Sequence, residues 1–319
     1  MELIIFVFQQ MLNFSVPLMA VALAAMFSER SGVINIGLEG IMVIGAFAGT
    51  LYMHMIVEGG GTVTMGHLWI AILISIVAGT VYSTFHAFAS INMFADQTIS
   101  GTAINMFAGA FAIFVARSLI GIQQISFSGT FTLDKVPLLG DIPIIGEILF
   151  QNTYVTTYLV LLLWAVSYVL LFKTSFGLRL RSAGEFPQAT DAAGISVARI
   201  RWAGVLISGA LGGLGGLAYI LPVSTEFNGT VAGYGFLAIA VLIFGQWNPI
   251  TIGLAAFFFG LLKALSSIYS GIPFLYNLGI PQFVYQILPY VITIVLLTFT
   301  SKKTRAPAAE GRPFDKGQR

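Results

Sequence analysis

Cysteine is absent from the 319 residues, and charged residues make up only 9% of them. Without cysteine the chain can form neither a disulfide nor a thiolate metal site. Soluble domains carry about 25% charged residues, so a chain this poor in charge and 57% hydrophobic does not have the composition of a soluble protein. The composition predicts an all-α polytopic membrane protein.

Signatures of catalysis are also missing. The sequence contains neither the G-x-x-x-x-G-K-[ST] phosphate loop nor an HExxH motif. Its three histidines, His54, His67 and His86, lack the spacing of metal ligands, and we expect each to pack as a single side chain. We therefore expect no enzyme activity, no metal and no cofactor in this chain, and no nucleic-acid partner.

Apolar runs predict about nine transmembrane helices, with eight to ten defensible. The runs cover residues 3–27, 33–56, 68–91, 98–118, 154–172, 202–221, 234–247, 249–269 and 284–300. A spanning helix needs about 20 apolar residues, so the run at 234–247 is short for a complete crossing. Residues 1–300 are interpreted as one transmembrane domain and residues 301–319 as a basic cytosolic tail.

The basic residues predict the orientation. Nine alternating spans place twelve of the fifteen lysines and arginines on one side, namely Arg30, Lys173, Arg179, Arg181, Arg199, Arg201, Lys302, Lys303, Arg305, Arg312, Lys316 and Arg319. Basic residues are enriched in cytosolic loops, so this side is the cytosol. The amino terminus is then outside and the carboxyl terminus inside.

The stretch from Ser28 to Gly49 (SERSGVINIGLEGIMVIGAFAG) mixes polar residues and glycines with apolar runs. A carboxylate or amide at membrane depth is costly unless it faces protein or water. Broken helices are tolerated where they line a cavity, and in transporters such breaks lie near the substrate path. The alternative is a cytosolic turn followed by an ordinary glycine-rich helix.

A polar segment at residues 173–201 separates two spans. Pro187 fits the first turn of a helix and Gly194 fits its end, so one short helix is expected between them, and Ser196 can cap the next helix. Such a helix would suit a partner protein, whereas the alternative is a solvated loop. In the span that follows, Gly204, Ser208, Gly212 and Gly216 recur every four residues, which favours tight helix packing.

Three motifs, the third followed by a glycine-rich stretch, together resemble a known family. SGVINIGLEGIMVIGAFAG, LLGDIPIIGEILF, SAGEFPQATDAAGI and SGALGGLGGLAY, in this order, resemble permease subunits of bacterial ABC importers of the branched-chain amino acid, ribose and nucleoside type. The second and third motifs together look most like the nucleoside branch, which works with a binding protein of the basic-membrane-lipoprotein type. The resemblance covers nearly the whole chain.

The resemblance implies a multi-pass protein of the bacterial cell membrane that pairs with a second permease subunit, often a different chain. It also implies an extracellular binding lipoprotein and a separate ATPase subunit that binds ATP and magnesium. The short cytosolic helix would be the coupling helix, so the ATPase groove would receive Glu185, Asp191, Ala192, Ala193 and Gly194.

A nucleoside pocket needs aromatic faces for the base and amides or a carboxylate for hydrogen bonds. The candidates are Asn35, Glu39, Asn105, Asn13, Gln10 and Phe107, with Gln9 and Phe111 beside them. Each polar candidate could instead serve a helix–helix hydrogen bond or a backbone break. Lys263 lies in an apolar run and must pair or snorkel.

The external loop at 119–153 offers charges for docking the binding protein, at Asp134, Lys135, Asp141 and Glu147. Two other functions stay open. The same permease type could carry ribose-like sugars or branched-chain amino acids. An ion-coupled secondary transporter would transport without ATP and would be expected to show a paired intramembrane ion site.

Overall fold

Helices form most of the protein in a computed structural model that describes residues 2–129, 131–272, 277–300 and 306–315. The helices are α1 Glu2–Arg30, α2 Leu38–Glu58, α3 Met65–Ala87, α4 Gln97–Ile120, α5 Ile145–Leu149, α6 Val155–Lys173, α7 Ser175–Glu185, α8 Pro187–Ala192, α9 Val197–Val223, α10 Tyr234–Phe244, α11 Pro249–Ile268 and α12 Gln282–Thr300. A π-helical turn, Phe88–Asn92, continues α3. Short 3-10 turns lie at Leu139–Asp141 and Tyr269–Gly271.

Seven of these helices are long and apolar enough to cross a membrane, and two shorter apolar helices accompany them in the described ranges. The shorter two are Tyr234–Phe244 and the Gln282–Val295 part of α12. Each predicted apolar run therefore contains one helix. The run at 234–247 forms only 11 helical residues, as its length predicted.

Helix α1 occupies the centre of the bundle. From Leu12 to Glu29 nearly every residue is buried, Asn13 and Phe14 being partly exposed, and the helix packs against α6, α9, α10 and α11. Because α1 is surrounded by protein, it can carry polar groups that lipid would not accept.

The glycines of α9 bring helices into backbone contact. A Cβ atom on Gly216 would collide with the backbone oxygen of Met42 on α2, and one on Gly213 would collide with the backbone oxygen of Ser75 on α3. Gly209 lies equally close to Ser83 of α3. The interpretation of this small-residue span as a packing surface is confirmed.

Two small antiparallel pairs lie between the helices. Strand β1 (Ile125–Ser126) pairs with β4 (Glu226–Phe227), and β2 (Thr132–Lys135) pairs with β3 (Gln151–Tyr154). The interpretation of residues 119–153 as a loop missed β1, β2, β3 and α5. Pairs of two to four residues leave no run long enough to show an alternating pattern.

Two helix boundaries differ from the sequence-based expectation. The second span begins at Leu38 rather than at residue 33, because residues 31–37 are not helical. The polar segment at 173–201 holds two helices rather than one: α8 was expected, but α7 was missed. Thr174 caps α7 by accepting a hydrogen bond from the Gly177 N–H at 3.1 Å, and Ser196 caps α9 as predicted.

Candidate functional site

Residues 31–37, here called the linker, interrupt the helical path inside the protein. Ser31, Val33 and Asn35 are completely buried. The linker runs beside α9, from Gly204, which touches Ser31, to Ser208, which accepts a 2.9 Å hydrogen bond from Asn35 Nδ2. Ser208 lies about 16 Å along α9 from its first residue at about 1.5 Å per residue. The predicted break in the helical path is therefore present, and it is buried inside the protein.

Three side chains from α3 and α4 satisfy the linker backbone. The Ile34 N–H donates to Gln97 Oε1 at 2.7 Å, and His86 Nε2 lies 2.8 Å from the Ile34 oxygen. Asn105 Nδ2 donates to the Ile36 oxygen at 2.9 Å, while its Oδ1 accepts from the Gly40 N–H at 2.7 Å. Unpaired backbone groups are costly away from water, so these bonds make the break tolerable.

The turn into the linker requires a glycine. Gly32 has φ +95°, a conformation that side chains disfavour. A Cβ atom there would also lie 2.9 Å from Arg201 Nη2. Arg201 is almost fully buried at the start of α9, so the linker and α9 meet at a buried charge.

Glu39 holds a second junction. Its two carboxylate oxygens accept hydrogen bonds from the N–H groups of Gly233 at 2.8 Å and Gly235 at 2.6 Å. These groups lie at the amino-terminal end of α10, where free N–H groups and the helix dipole favour an anion. Glu39 thus fastens the start of α2 to the start of α10.

The other predicted path residues lie in two separate places. Gln10 and Asn13 line a small polar cavity of about 240 Å³ beneath the β2–β3 pair, with Asn152, Thr153 and Tyr154 on its far side. Phe107 stacks on Phe111 at 5.6 Å and lines an apolar groove of about 720 Å³ between α2, α3 and α4. The structure therefore does not gather the six predicted residues into one pocket.

A larger polar cavity, of about 490 Å³, was missed. It is bounded by α1, α9, α10, α11 and α12, and its lining residues are Phe14, Tyr219, Val223, Tyr234, Lys263, Ser266, Ser267, Gln282, Gln286, Ile287 and Tyr290. We call it the tyrosine cavity. Lys263 was the signal that could have found it, since a lysine inside an apolar run marks a polar interior.

Residues 173–201, the predicted coupling segment, have an exposed end and an internal contact. Ala192, Ala193 and Gly194, at the end of α8, are exposed. Glu185 is instead engaged internally: it lies 3.6 Å from the Arg30 guanidinium and accepts a 3.3 Å hydrogen bond from the Ala308 N–H.

Residues 306–315 lie against the linker and α7. The Ala309 N–H donates to the Gly184 oxygen at 2.8 Å, and the Gly311 N–H donates to the Gly32 oxygen at 3.2 Å. Arg201 Nη1 donates to the oxygen of Arg312 at 2.8 Å. This part of the predicted tail therefore packs onto the protein. The tail residues Lys302, Lys303, Arg305, Lys316 and Arg319 lie outside the described ranges.

A carboxyl pair lies beneath this docked segment. The side chain of Glu310 faces that of Glu29, and Glu29 Oε2 accepts a 2.7 Å hydrogen bond from Trp247 Nε1. Burial raises the pKa of the Glu310 carboxyl, although its hydrogen bond with Glu29 and the charge of neighbouring Arg30 oppose the rise. Trp247 belongs to the tight turn between α10 and α11.

The histidines do not form a metal site in the described residues. His86 lies between Ile34 and Ser100 in hydrogen-bonding contacts, and His67 takes part in the capping box of α3. His54 Nδ1 lies 2.7 Å from the Ser126 oxygen.

Comparisons with known proteins identify the family. Residues 7–297 match the family described as branched-chain amino acid transport system, permease component. The chain is 43% identical over 310 residues to the guanosine ABC transporter permease protein NupQ of Bacillus subtilis, covering 97% of this chain and 96% of the relative. It is 41% identical over 309 residues to the nucleoside ABC transporter permease protein NupC of Lactococcus lactis, with coverage of 97% and 96%.

A solved structure shares the fold. It is an inward-facing conformation of an ABC transporter described as of metal-chelate type, with a TM-score of 0.50 and 17% sequence identity over 95% of this chain and 86% of that chain. At this identity the likeness concerns the fold alone. The chain belongs to the permease-component family of the branched-chain amino acid transport systems, and it is a multi-pass protein of the plasma membrane.

Proposed function

We propose that this chain is the membrane-spanning permease subunit of an ATP-driven nucleoside importer. The observation that carries the proposal is the alignment of two nucleoside permeases, at 43% and 41% identity, with nearly the whole chain. The buried break in the helical path and the polar cavities inside the bundle support a transport role, because polar groups at membrane depth are costly without a function or a partner.

The proposed topology has nine crossings, with the amino terminus outside and the carboxyl terminus in the cytosol. Contacts between distant basic segments support it. Arg30 lies beside α7 through Glu185, and Arg201 contacts the backbone of Arg312. Segments expected on the cytosolic side thus meet at one end of the bundle.

We further propose that ATP and magnesium bind a separate ATPase subunit, which docks on the coupling segment through Glu185, Asp191, Ala192, Ala193 and Gly194. The exposed end of α8 supports a docking surface there. Glu185 would act less by direct contact than by tying α7 to α1. A second permease subunit and an extracellular binding lipoprotein complete the proposed assembly.

For the substrate path, Asn35, Glu39, Asn105, Asn13, Gln10 and Phe107 remain our proposal. The hydrogen bonds of Asn35, Glu39 and Asn105 support a role in shaping the path, since each holds the broken region in place. Gln10 and Asn13 border a cavity and could meet a solute directly.

The test is uptake of radiolabelled guanosine, adenosine, uridine, ribose and leucine by cells lacking this gene and its redundant importers. We expect nucleoside uptake alone to be lost, and to return with the wild-type gene. Loss of ribose or leucine uptake instead would keep the family and refute the nucleoside assignment. Persistence of all five activities would refute an importer role.

A variant of the coupling segment tests the ATPase contact. Ala193→Arg adds a bulky charge to an exposed position, whereas Ala193→Ser keeps the side chain small. We expect the arginine variant to reach the membrane but to lose uptake and ATPase association, while the serine variant retains both. Equal activity of the two variants would show that α8 is not the contact.

A sugar importer is the second candidate. A glucose ABC transporter permease, TsgB13 of Haloferax volcanii, is 26% identical over 292 residues, which cover 89% of this chain and 74% of the relative. The ribose arm of the same uptake panel, extended with glucose, separates this candidate from the first.

A further inference from the structure

Lys263 is a cation without an anionic partner among the described residues. It lies within α11, one of the membrane-spanning helices, yet no ion pair involving it occurs in those ranges. Its ammonium lies 5.6 Å from the Tyr234 ring centre and 5.0 Å from that of Tyr290, and it donates a long, 3.3 Å hydrogen bond to the Tyr290 hydroxyl. An intramembrane lysine normally faces a partner or a water-filled path and marks function.

The contacts with the tyrosine rings leave donors free. A ring face attracts the ammonium through its charge. Unlike a hydrogen-bond acceptor, it does not occupy one of the N–H donors. A lysine has three donors and no acceptor, and Tyr290 accepts one of them in the described part of the protein. The side chain therefore suits a ligand that presents oxygen or nitrogen acceptors.

The surroundings suit a flat heterocycle joined to a hydroxylated group. Tyr219 and Tyr234 have ring centres 4.1 Å apart at the wall of the tyrosine cavity. Its volume of about 490 Å³ lies within the range of about 300–1,000 Å³ that is typical of small-molecule sites. The Tyr234 hydroxyl is buried and has no hydrogen-bond partner among the described residues.

Polar side chains complete the lining. Gln282 and Gln286 stand on α12, and Ser266 and Ser267 stand on α11 close to Lys263. Amides and hydroxyls can both donate and accept hydrogen bonds, as ribose hydroxyls and base edges require. Neither a purely apolar substrate nor a cation would use this set, since Lys263 is the only charged side chain among the described lining residues.

We propose that the tyrosine cavity holds the nucleoside during translocation, and that Lys263 selects 6-oxopurine bases by donating to their O6 and N7 acceptors. The proposal rests on the nucleoside function proposed above. Lysine contacts with O6 and N7 of guanine are a common means of reading that base in the major groove of DNA. Adenine presents an amino group where guanine presents O6, and that amino group would face the ammonium as a second donor.

The experiment exchanges the donor set at one position. Glutamine pairs with N6 and N7 of adenine, so Lys263→Gln is compared with Lys263→Arg, which keeps the charge and the donors. Uptake of guanosine, inosine and adenosine is measured in the deletion strain with the same binding protein present throughout. Arg117→Gln, an exposed change at the far end of α4, is the control for losing a positive charge.

We expect Lys263→Gln to lower the ratio of guanosine to adenosine uptake roughly tenfold, while the arginine and control variants keep the wild-type ratio. A ratio that is unchanged in Lys263→Gln, including an equal loss of all three activities, would overturn the selection by Lys263. A gain in the adenosine share cannot come from misfolding. If the wild-type gene restores no nucleoside uptake, the proposed nucleoside function itself is refuted. This result is distinguishable from a failure of the Lys263 proposal, because it is seen with the wild-type gene alone.

Discussion

Replacing Asn105 by leucine removes the side chain that bridges the two sides of the helix break. Its amide makes hydrogen bonds of 2.7 Å with the Gly40 N–H and 2.9 Å with the Ile36 oxygen. Leucine has a similar volume but can satisfy neither group. Leaving a buried donor or acceptor unpaired costs about 1–3 kcal/mol. Because both bonds are partly buried, the lower end of that range applies, and the two groups together lower the stability by about 2 kcal/mol.

A melting experiment measures this loss. On the scale of soluble domains of 150–250 residues, 1 kcal/mol shifts Tm by about 2–4 °C, so we expect Asn105→Leu to lower the melting temperature by at least about 4 °C. The assay is thermal denaturation of the purified protein in detergent, followed by loss of the monodisperse peak in size-exclusion chromatography.

Thr102→Val provides the matched control on the same helix. Its hydroxyl is exposed and donates only to the Thr98 oxygen, one turn back in α4, so its removal leaves no buried group unpaired. If Asn105→Leu melts within about 1 °C of this control, the bridge contributes little, and the claim that Asn105 holds the linker in place is refuted.

Two further predictions concern packing and the docked tail. Gly216→Ala places a methyl group against the backbone of α2 and should destabilise the protein by about 1–3 kcal/mol. Gly109→Ala is the control: the atom nearest to its added Cβ would lie at 3.5 Å, so this variant should melt at or above the wild-type temperature. Equal melting temperatures of the two variants would contradict the close approach of α9 and α2. Burial raises the pKa of the Glu310 carboxyl in the docked tail, so its contribution to docking is complete below the ordinary glutamate pKa and is lost as the pH rises through the raised value. A single Ala309→Cys variant of this cysteine-free chain, at a position that is buried in the docked tail, should therefore react with maleimide increasingly as the pH rises above about 5, relative to the same variant carrying Glu310→Gln. A constant ratio would exclude the carboxyl as the cause.

The experiments on Ala193 and Lys263 test different parts of the same transport cycle. The first concerns coupling to the ATPase, and the second concerns the choice of base. A defect in coupling lowers uptake of every nucleoside together, whereas a defect in selection changes one nucleoside relative to another.

Local patterns were sufficient for the helices. Long apolar runs predicted the spans, because a spanning helix makes all its backbone hydrogen bonds internally and needs only length and apolarity. Pro187, Gly194 and Ser196 likewise predicted the bounds of α8 and the start of α9, since capping depends on residues close in sequence. The missed α7 is the exception. Its mean composition is polar, and its cap, Thr174, was not used as a signal.

Contacts between distant residues could not be predicted in the same way. The sequence indicated that Glu39 and Asn105 needed partners, but the partners, at the start of α10 and in the linker, are chosen by how the helices pack. The tyrosine cavity gathers residues from five helices that lie as far apart as Phe14 and Tyr290. The same holds for the docking of residues 306–315, which read as a plain basic tail.

Composition and the order of the apolar runs thus determine that this is a helical membrane protein, because burial in lipid leaves the backbone few alternatives. The polar residues and glycines between Ser28 and Gly49 indicate the break after α1. Which polar groups hold that break, and which face a cavity, follow only from the three-dimensional packing. A hydrogen bond needs two groups within about 3 Å, and for residues far apart along the chain that distance is set by the whole bundle. Lys263 shows both contributions. Its position in an apolar run indicated a function from the sequence, and the tyrosines and glutamines that the fold places around it indicate a nucleoside site.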